Sequence, residues 1–161
     1  MLAGALKRVV SALPNVEIVL AGTLSQEGLV RSMLDSSVAE RTKIIDRAND
    51  AELADLYRSS VLLLIPSRSE GLPITMLEAM ACGCPPLAAA NSGMLDVIVP
   101  GVNGWLEVSF EEEKWASRII DLLANPGVLA AASRAAAATA EEFRVERVAR
   151  RVADWYAGLT A

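Results

Sequence analysis

Apolar and polar positions alternate between two periods along the chain. Residues 2–12 carry apolar side chains at helical spacing and stop before Pro14. Val16 to Ala21 (VEIVLA) is a short β run closed by Gly22. Ser25 is then expected to cap a helix running to about Ser36. Arg41 to Asp46 (RTKIID) reads as a weaker strand, and Asn49 or Asp50 caps AELADLYRSS, whose Leu53, Leu56 and Tyr57 share a face. Val61 to Ile65 is a continuous apolar strand ended by Pro66, as a central parallel strand should be. A loop, Ser67 to Leu72, leads into a helix with Pro73 in its first turn and Gly83 just past its end. A strand over 86–90, a turn at Asn91-Ser92-Gly93, a helical segment to about Val99, and a strand over 105–108 follow. Three helices, about 110–124, 127–140 and 143–157, complete the pattern, with Asn125-Pro126-Gly127 as a break. Helix and strand thus alternate. That predicts an α/β, Rossmann-like fold: a parallel sheet with helices on both faces.

Composition narrows the class. The chain has 161 residues, 53% hydrophobic and 22% charged, which suits one globular domain over 1–161. No apolar run reaches the ~20 residues that span a membrane. MLAGALKRVVSALP reads as an amphipathic helix rather than a signal peptide, since Lys7 and Arg8 interrupt it. A net charge of -5 argues against a nucleic-acid partner, though not against a small anionic ligand, which needs only a local positive site. Cys82 and Cys84, with no histidine in the chain, make a poor metal site and read as reduced structural thiols, hence a cytoplasmic protein. No cofactor or metal is expected. Without histidine, chemistry near neutral pH must run on carboxylates or on the substrate's own groups. In the C-terminal helix, Val145, Val148, Val152 and Trp155 follow one face while Arg144, Arg147, Arg150 and Arg151 lie mainly off it. That pattern predicts a packing helix.

Two glutamates carry the candidate chemistry. Glu70 stands just past the end of a parallel strand, where open α/β sheets bind ligands. Glu78 lies in the second turn of an almost wholly apolar helix. Buried carboxylates without partners are rare, so both are expected to be bonded to something. Their spacing alone is weak: with 20 acidic residues in 161, roughly two such pairs arise by chance. The context adds more. Gly71 lets backbone approach a ligand, and the helix start at Leu72 or Pro73 offers free N–H groups and a positive dipole end suited to phosphate. Glu78 could accept from both hydroxyls of a ribose. Alternatively, Glu70 is a solvated loop residue and Glu78 bonds a neighbouring backbone group or arginine. Arg68 could meet a phosphate or pair with Glu70.

The stretch SRSEGLPITMLEAMACGCPPLA resembles the hallmark of GT-B retaining glycosyltransferases of family four (glycosyl transferases group 1). It keeps Pro66, Ser67, Glu70, Gly71, Glu78, Ala79, Met80, Ala81, Gly83 and Pro85 of that pattern. The flanks NVEIVLAG, DAELADLYRSSVLLLIPS and NSGMLDVIVPGVNGWL are similar to the family's neighbouring segments. The likeness covers roughly residues 1–125 and is most specific over 61–104. It implies the donor-binding half of a nucleotide-sugar-dependent transferase, with UDP- or GDP-linked donors. Glu70 would then contact the sugar's hydroxyls and stabilise charge near the anomeric carbon. Backbone at Gly71 and Leu72 would face sugar and diphosphate, Glu78 would hold the ribose, and Gly93 would sit in the loop closing the sugar pocket.

The chain departs from the family pattern in three places. Asp96 stands for the usual glutamate, and Asp46 for a glycine against which the base lies. The resemblance also implies a preceding first strand, and a loop bearing an arginine and a lysine for the diphosphate; the chain begins after both. A strand missing from the sheet's centre would leave two open edges, so self-association or a separate acceptor-domain subunit is expected, with little transferase activity by itself. The other readings are a non-catalytic nucleotide-binding or interaction module and, less well matched, a nucleotide-sugar epimerase half. A receiver-type phosphorylation module lacks its aspartate at the end of strand 61–65.

Overall fold

The computed structural model describes residues 1–159; Thr160 and Ala161, the last two of the expected domain, lie outside the described residues. Helix α1 (Leu2–Ala12) leads to strand β1 (Ile18–Ala21), which ends at Gly22 with φ of +82°. Short helices α2 (Glu27–Ser32) and α3 (Ser36–Ala39) precede β2 (Thr42–Ile45). The expected single helix from Ser25 is therefore two. Ser25 does not cap it: its own φ is +67°, and its amide and hydroxyl are given to the Asp46 carboxylate. Asp35 instead caps α3, accepting from the Ser37 amide at 3.1 Å. Helix α4 (Asp50–Ser59) opens on a reciprocal cap between Asn49 and Glu52.

Then come β3 (Leu63–Ile65), α5 (Ile74–Ala81), β4 (Pro86–Ala89), α6 (Ser92–Val97) and β5 (Trp105–Glu107). The expected turn at Asn91-Ser92-Gly93 is the first turn of α6. Helices α7 (Glu112–Leu123), α8 (Pro126–Ala140) and α9 (Val145–Leu159) close the chain; the expected break separates α7 from α8, with Pro126 in the first turn of α8.

All ladders are parallel. β4 pairs with β3 on one side and β5 on the other, and all four of its residues are buried. Its side chains alternate between two cores, which puts helices on both faces. Leu87 and Ala89 meet Val9, Trp115 and Ile119 of α1 and α7; Ala88 meets Met76, Met80, Met94 and Ile98 on the opposite face. Trp115, wholly buried, donates its Nε1–H to the Ser109 carbonyl at 2.8 Å. Cys84 is buried and its thiol is pushed up to about 12 by desolvation, so it stays protonated near neutrality. Both cysteines are free.

β1 and β2 form a separate two-stranded sheet. It joins the rest through helices, with Leu6 and Val10 of α1 packed on Val38 of α3. Among the described residues, no ladder links β1 to β3. The run Val61–Ile65 reads as a central strand, yet β3 stands at a sheet edge and only Ile65 is buried. The expected packing of α9 is also absent: none of its residues is buried, and Trp155 is 62% exposed. No helix among the described residues is long and apolar enough to cross a membrane.

Candidate functional site

Because β3 and β4 run parallel and adjacent, the segments leaving their carboxyl ends emerge side by side. One is Pro66 to Pro73; the other begins at Asn91. The Asn91 amide ties them, donating from Nδ2 to the Ser67 carbonyl at 2.6 Å. Its Oδ1 is buried without a partner among the described residues. Gly93 completes the junction. A Cβ there would run into the Gly71 carbonyl and the Leu72 Cα, so only glycine allows the first turn of α6 to rest on the backbone of the other loop. Gly93, Gly71 and Leu72, singled out separately in the sequence, are thus brought together.

The rest of the predicted set lies along this loop and helix. Glu70 is half-buried, and a Cβ on Gly71 would meet open space, so the loop is unobstructed on that side. Pro73 is the N-cap of α5 and no side chain caps that end. Glu78 is exposed on α5 and close to Tyr57 of α4; burial pushes the Tyr57 phenol up, and the Glu78 charge adds to the shift. The expectation that both glutamates are bonded fails for a physical reason. Neither side chain is fully buried, so neither carboxylate needs a partner, and among the described residues neither carboxylate forms a hydrogen bond or ion pair. Arg68 does not pair with Glu70: its guanidinium lies over the Phe110 ring, 4.5 Å from the centroid.

Asp46, at the end of β2, accepts from the Ser25 amide and the Thr23 and Ser25 hydroxyls, and the amide bond holds its carboxyl below the usual range. Lys7 pairs with Asp35 at 2.8 Å and Arg8 with Glu113 at 3.0 Å, both on the surface of α1. No group of three or more His, Cys, Asp or Glu among the described residues could hold a metal. Sequence reasoning passed over Asn91 and Phe110. Asn91 carried the signal of a turn residue, and Phe110 carried none.

A cavity lies apart from the glutamates. It lies between β1 and β3, is about 500 Å³, and is lined mainly by apolar side chains. Its position marks the gap between the two sheets rather than the loop junction.

The family model for glycosyl transferases group 1 matches residues 1–140. A D-inositol 3-phosphate glycosyltransferase of Segniliparus rotundus is 34% identical over 154 residues, covering 92% of this chain and 34% of the relative. The chain thus spans about a third of the length of the curated relatives it matches. Among solved structures, Anabaena HepE in complex with UDP and glucose superposes with a TM-score of 0.80 at 21% identity, over 96% of this chain and 44% of that one. The C-terminal domain of a group 1 glycosyl transferase, LpcC from Francisella tularensis, does so with a TM-score of 0.74 at 17% identity, over 89% of this chain and 77% of that one. With its parallel strands, helices on both faces and loop junction, the chain has the fold of a GT-B C-terminal domain and belongs to the glycosyl transferases group 1 family.

Proposed function

We propose that this chain is one domain, the donor-binding half of a retaining glycosyltransferase that uses a UDP- or GDP-linked sugar. The observation that carries this reading is the junction of Gly93 with Gly71 and Leu72, at the carboxyl ends of adjacent parallel strands and beside the uncapped start of α5. That HepE is described with UDP and glucose supports it. In this reading the diphosphate lies against the free N–H groups at the start of α5, near Pro73, where the helix dipole favours negative charge. Glu78 accepts from the ribose hydroxyls. Glu70 faces the sugar and stabilises the positive charge that develops at the anomeric carbon as the bond to the diphosphate oxygen breaks. The diphosphate leaves with the bonding electron pair, and an acceptor oxygen bonds to the carbon and gives its proton to the departing diphosphate. Arg68, in the same loop as Glu70 but stacked on Phe110, attracts the donor's phosphates in this reading rather than neutralising Glu70.

The acceptor would bind to a second domain or subunit facing this one, so the chain by itself transfers little sugar. The unpaired cysteines support a reducing, cytoplasmic setting.

A second reading, a module that binds a nucleotide or a partner without catalysis, is favoured by one observation: Lys7 and Arg8 are engaged in surface ion pairs with Asp35 and Glu113. Calorimetric titration with UDP- and GDP-sugars tests both. The parent chain is expected to bind one of them, and Glu78→Ala to weaken binding about tenfold or more, the effect of losing hydrogen bonds to a charged group. Absence of binding by the parent would remove the ribose role. Binding with turnover unaffected by Glu70→Gln in the presence of an acceptor domain would remove the role of Glu70 in the reaction.

A further inference from the structure

We propose that Asn91 is a positioning residue for the donor site: its side-chain amide ties the loop that carries Glu70 to the start of α6, and it does so in place of capping that helix. The effect on the donor rests on the donor-binding reading above; the tie itself rests on hydrogen-bond geometry.

Asn91 has the residue type and backbone of an N-cap. It stands directly before α6 in extended conformation, with φ of -147° and ψ of 158°. A side chain so placed ordinarily accepts from an amide of the first helical turn. Here it does not, and no side chain caps α6. The amide turns away and donates from Nδ2 to the Ser67 carbonyl at 2.6 Å. The partner fixes which amide atom faces it: a carbonyl can only accept, so the nitrogen must point to it. Oδ1 is then left buried without a partner among the described residues. Buried polar groups are nearly always bonded, and an unmet acceptor is destabilising. A cap bond would serve this oxygen and the helix together; the bond to Ser67 takes its place.

The loop depends on that bond. Residues 66–72 make no other hydrogen bond among the described residues. Further along the same loop, the backbone of Gly71 and Leu72 meets Gly93, two residues after Asn91. One short stretch, 91–93, therefore fixes the loop at two points, and Arg68, Ser69 and Glu70 bridge them. Three residues reach at most roughly 10–11 Å, so fixing both ends of the bridge limits where Glu70 can go. Without the Ser67 bond one end is loose, and only the stack of Arg68 on Phe110 restrains it. A loop ordered beforehand loses less entropy when its ligand binds.

A purely structural role for Asn91 fits less well. Stability alone would favour the cap, whereas the arrangement present leaves the end of α6 uncapped and Oδ1 unbonded. Departures of this kind from the locally most stable choice gather where function requires them.

The test is Asn91→Ser in the intact chain. Serine caps helices about as well as asparagine, but its hydroxyl sits one bond nearer the backbone and falls short of Ser67. The urea midpoint is expected to hold or rise. Trypsin cleavage after Arg68, an exposed residue, is expected to quicken about tenfold or more while other sites keep their rates, because cleavage tracks the open population of a loop. Mass spectrometry reads both. Titration with UDP- and GDP-sugars is expected to show about tenfold weaker binding, and Asn91→Gln, which keeps the amide donor, to recover part of both effects. A merely structural role would instead lower stability and affinity together. Unchanged cleavage after Arg68 overturns the proposal. So does faster cleavage at every site with a lowered urea midpoint, and so does faster cleavage after Arg68 with donor affinity unchanged. A parent chain that binds no nucleotide sugar removes the donor reading, and the cleavage rates still decide whether Asn91 holds the loop.

Discussion

At the scale of single residues, Gly93 is the tightest constraint on the candidate site. Its first helical turn rests on the backbone of Gly71 and Leu72, where neither side can give way as a flexible side chain would. Gly93→Ala is expected to cost about 1–3 kcal/mol of stability, as overpacking does, and to lower nucleotide-sugar affinity more than a change at Asp96, which is exposed. Urea denaturation beside calorimetry checks both, and unchanged stability would show that the loops are not locked together. The same scale separates what could be read from the sequence from what could not. Gly93 and the two glutamates stood out through their motif, but their contacts did not. Whether a carboxylate needs a partner depends on burial, and the sequence does not state that a glutamate in an apolar helix points out of it. Arg68 had two plausible partners nearby and took a third, Phe110, more than a strand and a helix further along.

At the scale of elements, apolar periodicity located every strand to within a few residues, because a strand between helices must be apolar whatever its neighbours. Capping was harder to place. Ser25 had the right chemistry for an N-cap, but its amide and hydroxyl both donate to Asp46 and its backbone is left-handed, so Asp35 caps the next helix instead. Helix α9 shows the opposite error, since its apolar stripe is real and nothing among the described residues covers it. Ending the chain after Arg144 should therefore change the unfolding free energy by less than about 1 kcal/mol, as for other surface changes. A loss of several kcal/mol in urea melts would mean that the helix packs in solution.

At the scale of the whole molecule, two sheets held together by helices should not open together. Amides of β4, paired on both sides and buried, are expected to exchange most slowly, and those of β1 and β2 at a clearly lower opening free energy. Uniform protection across all five strands in native-state exchange would contradict this. The division also bears on how the chain folds. Every ladder joins strands that are consecutive in the sequence, so no hydrogen-bonded pairing has to wait for distant segments to meet. The long-range step is the docking of α1 on α7, marked by Arg8 and Glu113, 105 positions apart. Closing so long a loop is slow, and here its return is apolar packing rather than a ladder. The strands can therefore pair between neighbouring segments, while the docking of α1 on α7 must close a separation of 105 positions with no ladder to hold it.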